Sequence, residues 1–240
     1  MPTKILKKMK NKFILFCCAV LLVACSKSHP MYIGAEYVGK KYTVDPLGEE
    51  KFPDLDPLIR FDAFDCMTFV ETSLAGGDLD KLNKIRYKNG DIDFLNRNHF
   101  TETDWLENNK NIVENISSEY GKTATRNAVI DKQKWFKRVH KIDVKIPKQT
   151  AKVEYIPYLE LDDIKNDEVL IVLFVIDNPK MRDKIGSDLA ISHMGFLLPN
   201  GILRHASRDF GRVVDVNFKE YIATRAKNKN DLGIALLRIK

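Results

Sequence analysis

The sequence predicts a single α+β domain, with helices in the early part of the chain and antiparallel strands in the late part. A segment that follows Asp65 has helical one-face spacing and is stopped by Gly76-Gly77. The run 168–176 is apolar and β-branched, and the shorter runs after it are separated by turn residues. Helices that precede the strands, rather than alternating with them, are typical of the α+β class.

The N-terminus predicts export from the cytoplasm. Five lysines and no acid precede an apolar run from Phe13 to Ala24, which is too short to cross a bilayer comfortably. The run closes on Leu22-Val23-Ala24-Cys25, which resembles the lipobox at which bacterial lipoproteins are cleaved and acylated. We therefore expect a signal peptide over 1–24 and a lipid anchor on Cys25, so that the protein is held on a membrane of the bacterial cell envelope and faces the periplasm. An ordinary signal peptide with an incidental cysteine is the alternative.

The charge of the chain excludes a nucleic-acid partner. The formal net charge is +6, but five of the 39 basic residues are the signal-peptide lysines, which leaves 34 basic against 33 acidic residues. A nearly neutral protein lacks the basic stripe or patch that nucleic-acid binding needs. Roughly 215 residues remain after cleavage, which is enough for one domain with a sizeable core.

Cysteine usage leaves one free thiol. Cys17 and Cys18 leave with the signal peptide and Cys25 is expected to be lipidated, so Cys66 has no partner for an internal disulfide. Such a thiol in an exported protein is either inert and buried or reactive.

The chain is expected to divide into two parts after the signal peptide, the second of which contains an insertion. Residues 25–53 are predicted to form a tether and an irregular arm, because their sequence shows little apolar periodicity. The compact domain is expected over 54–240, with a helical or irregular insertion over 76–167. Inside the insertion, Thr101-Glu102-Thr103-Asp104 matches a capping signal and predicts a short helix through Trp105.

The helix after Asp65 has a cysteine at its first position. Cys66 shares the inward face with four residues at helical spacing, namely Phe69, Val70, Ser73 and Leu74. Asp65 is a suitable N-cap. The positive end of the helix dipole favours an anion, so we expect a lowered pKa for the Cys66 thiol. The backbone N–H groups at the same end can receive an oxyanion.

A β-hairpin with a strong turn signal follows in the late half. Pro199-Asn200-Gly201 joins two strand-forming runs, 191–198 and 202–207. If all three residues form the loop, with the glycine left-handed, His193 and His205 lie on one sheet face at diagonal positions roughly 7 Å apart. A two-residue loop would put them on opposite faces; we predict the three-residue loop. Two more strands and a helix are expected beyond the hairpin, over 213–216, 232–239 and 218–225.

These residues fit amide hydrolysis by a cysteine, which needs a thiolate, a base, a group that orients the base, and donors for the developing oxyanion. Cys66, the two hairpin histidines and the helix N-terminus are candidates for the four parts. One cysteine and two histidines could also bind zinc with a nearby carboxylate. The close ligand spacing of structural zinc sites is missing, however, so no metal is expected.

Several segments resemble the NlpC-type, papain-like superfamily of cell-wall hydrolases. They are Phe64-Asp65-Cys66 at a helix start, Ser192-His193-Met194-Gly195-Phe196 on a strand, and His205-Ala206 on the next strand. One branch of that superfamily acts as N-acetylmuramoyl-L-alanine amidases, and two further segments resemble it, namely 86–90 and 97–105.

The resemblance implies a papain-like core in which the nucleophile begins a helix packed on an antiparallel sheet. It makes Cys66 the nucleophile, His193 the general base and His205 the residue that orients the base. The implied substrate is a muropeptide of peptidoglycan, 1,6-anhydro fragments included, cut between N-acetylmuramic acid and L-alanine.

The alternatives are a γ-D-glutamyl-diamino acid endopeptidase and a non-catalytic wall-binding lipoprotein. Met67-Thr68 stands where many members have Ser-Gly, and the insertion between Cys66 and His193 is long; both departures disfavour the endopeptidase bond. No cofactor and no obligate protein partner are implied.

The insertion is expected to select the substrate. Four clustered residues are suited to contact sugar hydroxyls, the lactyl amide and peptide carboxylates, namely Arg97, His99, Asp104 and Trp105. A purely structural interpretation is equally open for two of them, with Trp105 as a core residue and Asp104 as part of a helix cap.

Overall fold

A computed structural model describes residues 32–161 and 163–240 of the chain. The signal peptide and Cys25 lie outside the described residues, so cleavage and lipidation stay predictions. Helices α1 to α7 span Cys66–Ala75, Leu79–Arg86, Leu106–Asn108, Ser117–Tyr120, Lys132–Trp135, Pro179–Ile185 and Phe218–Arg225. Strands β1 to β10 span Lys41–Tyr42, Ala63–Phe64, Val113–Asn115, Ala124–Ile130, Gln149–Pro157, Leu170–Ile176, Ile191–Leu197, Ile202–Ser207, Arg212–Asn217 and Asp231–Ile239. Within the two described ranges, no helix has the length and apolar character needed to span a membrane.

The strands form one mostly antiparallel sheet, as the α+β class predicts. Its order is β2-β1-β9-β8-β7-β6-β10-β5-β4, with β3 paired to β10. Strand β6 is central and buried along its whole length, which explains its unbroken apolar sequence. Both faces of the sheet carry a hydrophobic core: one lies under α1 and includes Phe69 and Phe196, and the other includes Phe174 and Phe218, the first residue of α7.

Helix α1 begins and ends where the sequence predicts. The Asp65 side chain accepts a hydrogen bond from the Thr68 backbone N–H, and the Thr68 hydroxyl accepts one from the Asp65 N–H, which completes a capping box. Gly76 ends the helix in the left-handed conformation, at φ 61°. The Phe69 ring meets Phe196 of β7 edge-on, with ring centroids 5.7 Å apart, so α1 packs against the first strand of the hairpin.

The segment 76–167 differs from the helical or irregular insertion that the sequence predicted. It supplies β3, β4 and β5, and β4 and β5 pair along seven residues each. The segment expected to form an irregular arm also packs into the fold from Tyr32 onward, with Tyr37 and Leu47 in the core. In β5 the charged Lys152 and Glu154 are exposed, whereas the neighbouring Ala151, Val153 and Tyr155 are buried.

The predicted short helix in this segment is present, as a π-helix over Thr101–Trp105 that continues into α3. Its second residue, Glu102, is buried. One carboxyl oxygen of Glu102 accepts the Ala190 backbone N–H at 2.6 Å, whereas the other has no partner among the described residues. The carboxyl therefore ties this helix to the start of β7.

We expect Glu102 to make the protein less stable as the pH rises. Burial raises its pKa to about 7 from an ordinary value of 4.5. Because the folded state binds the proton more tightly, this stabilisation is complete below pH 4.5 and is lost as the pH rises through 7. Glu102→Gln keeps the oxygen acceptor but cannot ionise, so the wild type should lose on the order of 3 kcal/mol relative to this variant from acidic to weakly alkaline pH. Urea unfolding of both proteins across that range measures the difference, and parallel curves would contradict the prediction.

Candidate active site

The hairpin of β7 and β8 has the predicted three-residue loop. Phe196 pairs with Arg204 and Leu197 with Leu203, which is the register that a loop of residues 199–201 requires. Gly201 is left-handed at φ 74°. This register puts the two hairpin histidines on one face of the sheet.

The two histidines are hydrogen-bonded to each other. Nε2 of His193 lies 2.7 Å from Nδ1 of His205. Nδ1 of His193 is therefore the ring nitrogen left for another partner. His193 and Cys66 line the same cavity, which has a volume of about 360 Å³. The fold therefore brings Cys66 of α1 to the same cavity as His193, which is hydrogen-bonded to His205 of the hairpin.

The protonation of the pair follows from its burial. Burial, and then the nearby Arg225 guanidinium, lower the pKa of His205 to about 4; burial lowers the pKa of His193 well below its ordinary value. Both rings are therefore neutral at pH 7. If His193 is to accept a proton on Nδ1, its hydrogen must lie on Nε2 and be donated to His205 Nδ1. His205 then carries its own hydrogen on Nε2, which is buried without a partner among the described residues beside the Tyr221 ring.

The Cys66 thiol is protonated in the resting site, contrary to the expectation from the helix dipole. Burial, followed by the adjacent Asp65 carboxylate, raises the pKa of the thiol to about 12. Backbone N–H groups of Met194, Met67 and Cys66 itself act in the opposite direction but do not outweigh them. The same N–H groups are available to a developing oxyanion.

Within the described residues, no three or more His, Cys, Asp or Glu side chains are placed to hold a metal ion. Nδ1 of His205 is already hydrogen-bonded to Nε2 of His193.

Gly195 lies beside this pair, and a side chain there should displace it. A Cβ at this position would lie 2.8 Å from the His205 Cβ and 2.9 Å from the Arg204 carbonyl oxygen. Because the carbonyl belongs to the backbone, neither contact can be relieved cheaply. We expect Gly195→Ala to cost about 1–3 kcal/mol of stability and to lower kcat far more than it raises KM. Thermal unfolding and steady-state kinetics test this. Thr125→Ala, at an exposed position of β4, is the control, and unchanged kcat in Gly195→Ala would contradict the prediction.

Comparison with known proteins places the chain in a family. The AmiA-like family, described as N-acetylmuramoyl-L-alanine amidase-like, matches residues 32–230. The chain belongs to this AmiA-like family. The match includes α1 and the hairpin, and it supports a cell-wall amidase-like role for the AmiA-like chain. The NlpC-type assignment and the dependence on cysteine stay predictions.

Solved structures share the fold of the AmiA-like chain. Protein LPG0564 of Legionella pneumophila, from the DUF1460 family, superposes with a TM-score of 0.79 at 26% identity over 87% of each chain. An N-acetylmuramoyl-L-alanine amidase from Bacteroides uniformis superposes with a TM-score of 0.65 at 23% identity over 86% of this chain and 95% of the other. No curated protein matches the sequence.

The four substrate-contact candidates of the AmiA-like chain divide into two pairs. Arg97 and His99 line the cavity that holds Cys66. Trp105 is fully buried in the core, and Asp104 accepts the Phe100 N–H and forms an ion pair with Lys132. The structural interpretation therefore holds for Trp105 and Asp104.

Sequence reasoning missed several residues that line the cavity of the AmiA-like chain. Asp45, Trp135 and His140 also line the cavity. Asp45 comes from the segment expected to be an irregular arm, and its backbone N–H donates to the Asp65 carboxylate at 3.2 Å. No local motif marks these residues, because they reach the cavity only through the tertiary fold.

Proposed function

We propose that this protein is a cysteine-dependent N-acetylmuramoyl-L-alanine amidase that hydrolyses muropeptides of peptidoglycan, 1,6-anhydro fragments among them. The observation that carries the proposal is the 2.7 Å contact between His193 Nε2 and His205 Nδ1. His193 lines the same cavity as Cys66. The contact fixes a neutral imidazole in the cavity that Cys66, the only cysteine among the described residues, also lines. Family membership supports the amidase bond.

The proposed reaction begins with attack of Cys66 Sγ on the lactyl carbonyl carbon. His193 Nδ1 takes the thiol proton as the S–C bond forms, because thiol and imidazole are both neutral beforehand. N–H groups at the start of α1 stabilise the tetrahedral oxyanion. Collapse breaks the C–N bond, and His193 returns the proton to the amine of L-alanine. Water, deprotonated by His193, then hydrolyses the thioester and releases the muramoyl acid with a regenerated thiol.

His205 has a positioning role in this scheme. Its Nδ1 accepts the hydrogen of His193 Nε2, which keeps His193 Nδ1 free to act as a base and stabilises the imidazolium that forms.

We further propose that Cys25 carries a lipid anchor that holds the enzyme on a membrane of the cell envelope, facing the periplasm. The support is the charged and apolar pattern of residues 1–24 and the Leu22-Val23-Ala24-Cys25 motif. Mass spectrometry of the mature N-terminal peptide from membranes tests it: an acylated Cys25 is expected, and an unmodified N-terminus would contradict it.

The bond cleaved is tested with a defined disaccharide-tetrapeptide and mass spectrometry. We expect free disaccharide and intact tetrapeptide as products, with the anhydro form of the disaccharide as a parallel substrate. A disaccharide-dipeptide product would instead identify a γ-D-glutamyl endopeptidase. Binding without cleavage of any fragment would favour a wall-binding lipoprotein.

A further inference from the structure

One wall of the catalytic cavity is aromatic and comes from a segment remote from both α1 and the hairpin. Trp135 is the last residue of α5, and a π-helix over Phe136–His140 follows it. Trp135 and His140 face the same cavity as Cys66 and His193. We call Trp135, His140 and His99 the aromatic wall.

The aromatic wall is held rigidly by ring contacts. The Trp135 ring centroid lies 4.6 Å from that of His140 and 4.9 Å from that of His99. The Phe100 ring packs edge-on against the Trp135 ring, with the ring centroids 5.2 Å apart. A wall whose rings are fixed in advance loses little conformational entropy when a ligand packs on it.

Among the described residues, the arginines that line this cavity are already paired with carboxylates. Two basic side chains line the cavity, Arg86 and Arg97. Arg97 donates two hydrogen bonds to the Glu49 carboxylate, at 2.7 and 2.8 Å, and further hydrogen bonds to Asp45 and Asp54. Arg86 is bonded to Glu71 at 2.8 Å. Because their charges are already matched, the wall offers nothing to the carboxylates of a stem peptide and favours a neutral ligand.

The aromatic wall does offer neutral hydrogen-bonding groups. Nε2 of His140 is buried and has no partner among the described residues. Nε2 of His99 contacts the Phe94 carbonyl oxygen at 2.6 Å, so its other ring nitrogen is an acceptor. Burial lowers the pKa of both histidines, so neither ring is charged at pH 7. A buried polar atom without a partner is unfavourable, and a bound ligand group that pairs with it recovers that free energy.

We propose that the aromatic wall binds the sugar ring of the N-acetylmuramic acid residue, with the apolar face of the ring on Trp135 and a hydroxyl or acetamido group hydrogen-bonded to His140. The inference rests on the proposed function, because it assigns the sugar side of the same substrate. A sugar ring joins an apolar C–H face to neutral polar groups at its rim, which is the chemistry of the wall. The cavity volume of about 360 Å³ accommodates one such ring beside the scissile amide.

Tryptophan fluorescence tests the sugar site without requiring catalysis. The full chain has two tryptophans, and Trp105 is fully buried in the core, so it serves as an internal reference. The Cys66→Ala protein is titrated with the methylamide of N-acetylmuramic acid, in which the lactyl group is uncharged as it is in the substrate, and separately with the dipeptide L-alanyl-γ-D-glutamate. We expect a saturable change with the sugar alone, and no change in Cys66→Ala/Trp135→Phe, which retains Trp105.

A second variant isolates the hydrogen bond. Cys66→Ala/His140→Phe keeps an aromatic ring but removes both ring nitrogens, so the sugar should bind roughly five- to tenfold more weakly. Circular dichroism establishes that each variant is folded. Equal affinity for the sugar in this variant would overturn the role of His140.

The outcomes separate this inference from the proposed function. No response to the sugar, or a response to the dipeptide instead, would overturn the sugar site even if the wild type cleaves the muramoyl amide. A saturable response to the sugar in a chain that cleaves no muropeptide would leave the sugar site standing and overturn the amidase.

Discussion

Replacing Cys66 with alanine or serine should lower the rate of muropeptide hydrolysis by roughly four orders of magnitude or more, because the proposed reaction needs a thiol and Cys66 is the only cysteine among the described residues. Product release followed by mass spectrometry measures the loss. Ser73→Ala, at the far end of the same helix, is the control and should retain most of the activity. A Cys66→Ala protein that still releases the tetrapeptide would eliminate the cysteine mechanism.

The reactivity of the thiol provides a second measurement on the same residue. With the pKa of Cys66 raised to about 12 by burial and by Asp65, we expect slow alkylation by iodoacetamide at pH 7 and a steady acceleration as the pH rises. Hydrolysis does not need a thiolate in advance, because His193 takes the proton during the attack. Fast alkylation that is independent of pH in the neutral range would show a preformed thiolate–imidazolium pair.

Replacing Arg86 with methionine should destabilise the protein by about 3–5 kcal/mol, because it leaves the Glu71 carboxylate buried without its partner. The side chains of Arg86 and Glu71 are 3% and 1% exposed, and they join α2 to α1 beside the cavity. Burial raises the pKa of Glu71 to about 7 even with Arg86 present. Without Arg86 that pKa rises further, so the carboxyl takes up a proton more readily and the loss should be smaller at pH 5 than at pH 8.

Urea unfolding of three proteins tests this prediction. The matched control is Arg86→Met/Glu71→Leu, which removes both charges and should recover most of the stability lost in the single variant. If the double variant is as unstable as Arg86→Met, the loss arises from the bond between Arg86 and the Leu47 carbonyl oxygen rather than from the unpaired carboxylate.

Local features of this molecule could be predicted from the sequence. The start of α1 depends on a cap that Asp65 makes with Thr68, three residues away. The hairpin register depends on the three residues of its loop. Interactions over such short separations leave a pattern in neighbouring residues, which is why Cys66 and the histidines were found.

Features that depend on distant partners could not be predicted. Arg97 was expected to contact substrate, yet it is engaged by Glu49 and Asp54, which lie more than forty residues away. Trp135 reaches the cavity only through the fold of the insertion. The raised pKa of Cys66 likewise reflects the depth at which the thiol is buried, which no local pattern encodes.

The three-residue loop makes the catalytic hairpin sensitive to the number of its residues more than to their identity. Side chains of a strand point alternately to its two faces, so a single insertion or deletion between His193 and His205 would turn one ring away from the other. Substitutions at Pro199 or Asn200 leave that parity intact. Among related chains, the loop can therefore vary in composition or change length in steps of two. A change of one residue would abolish the proposed activity although Cys66, His193 and His205 are all retained.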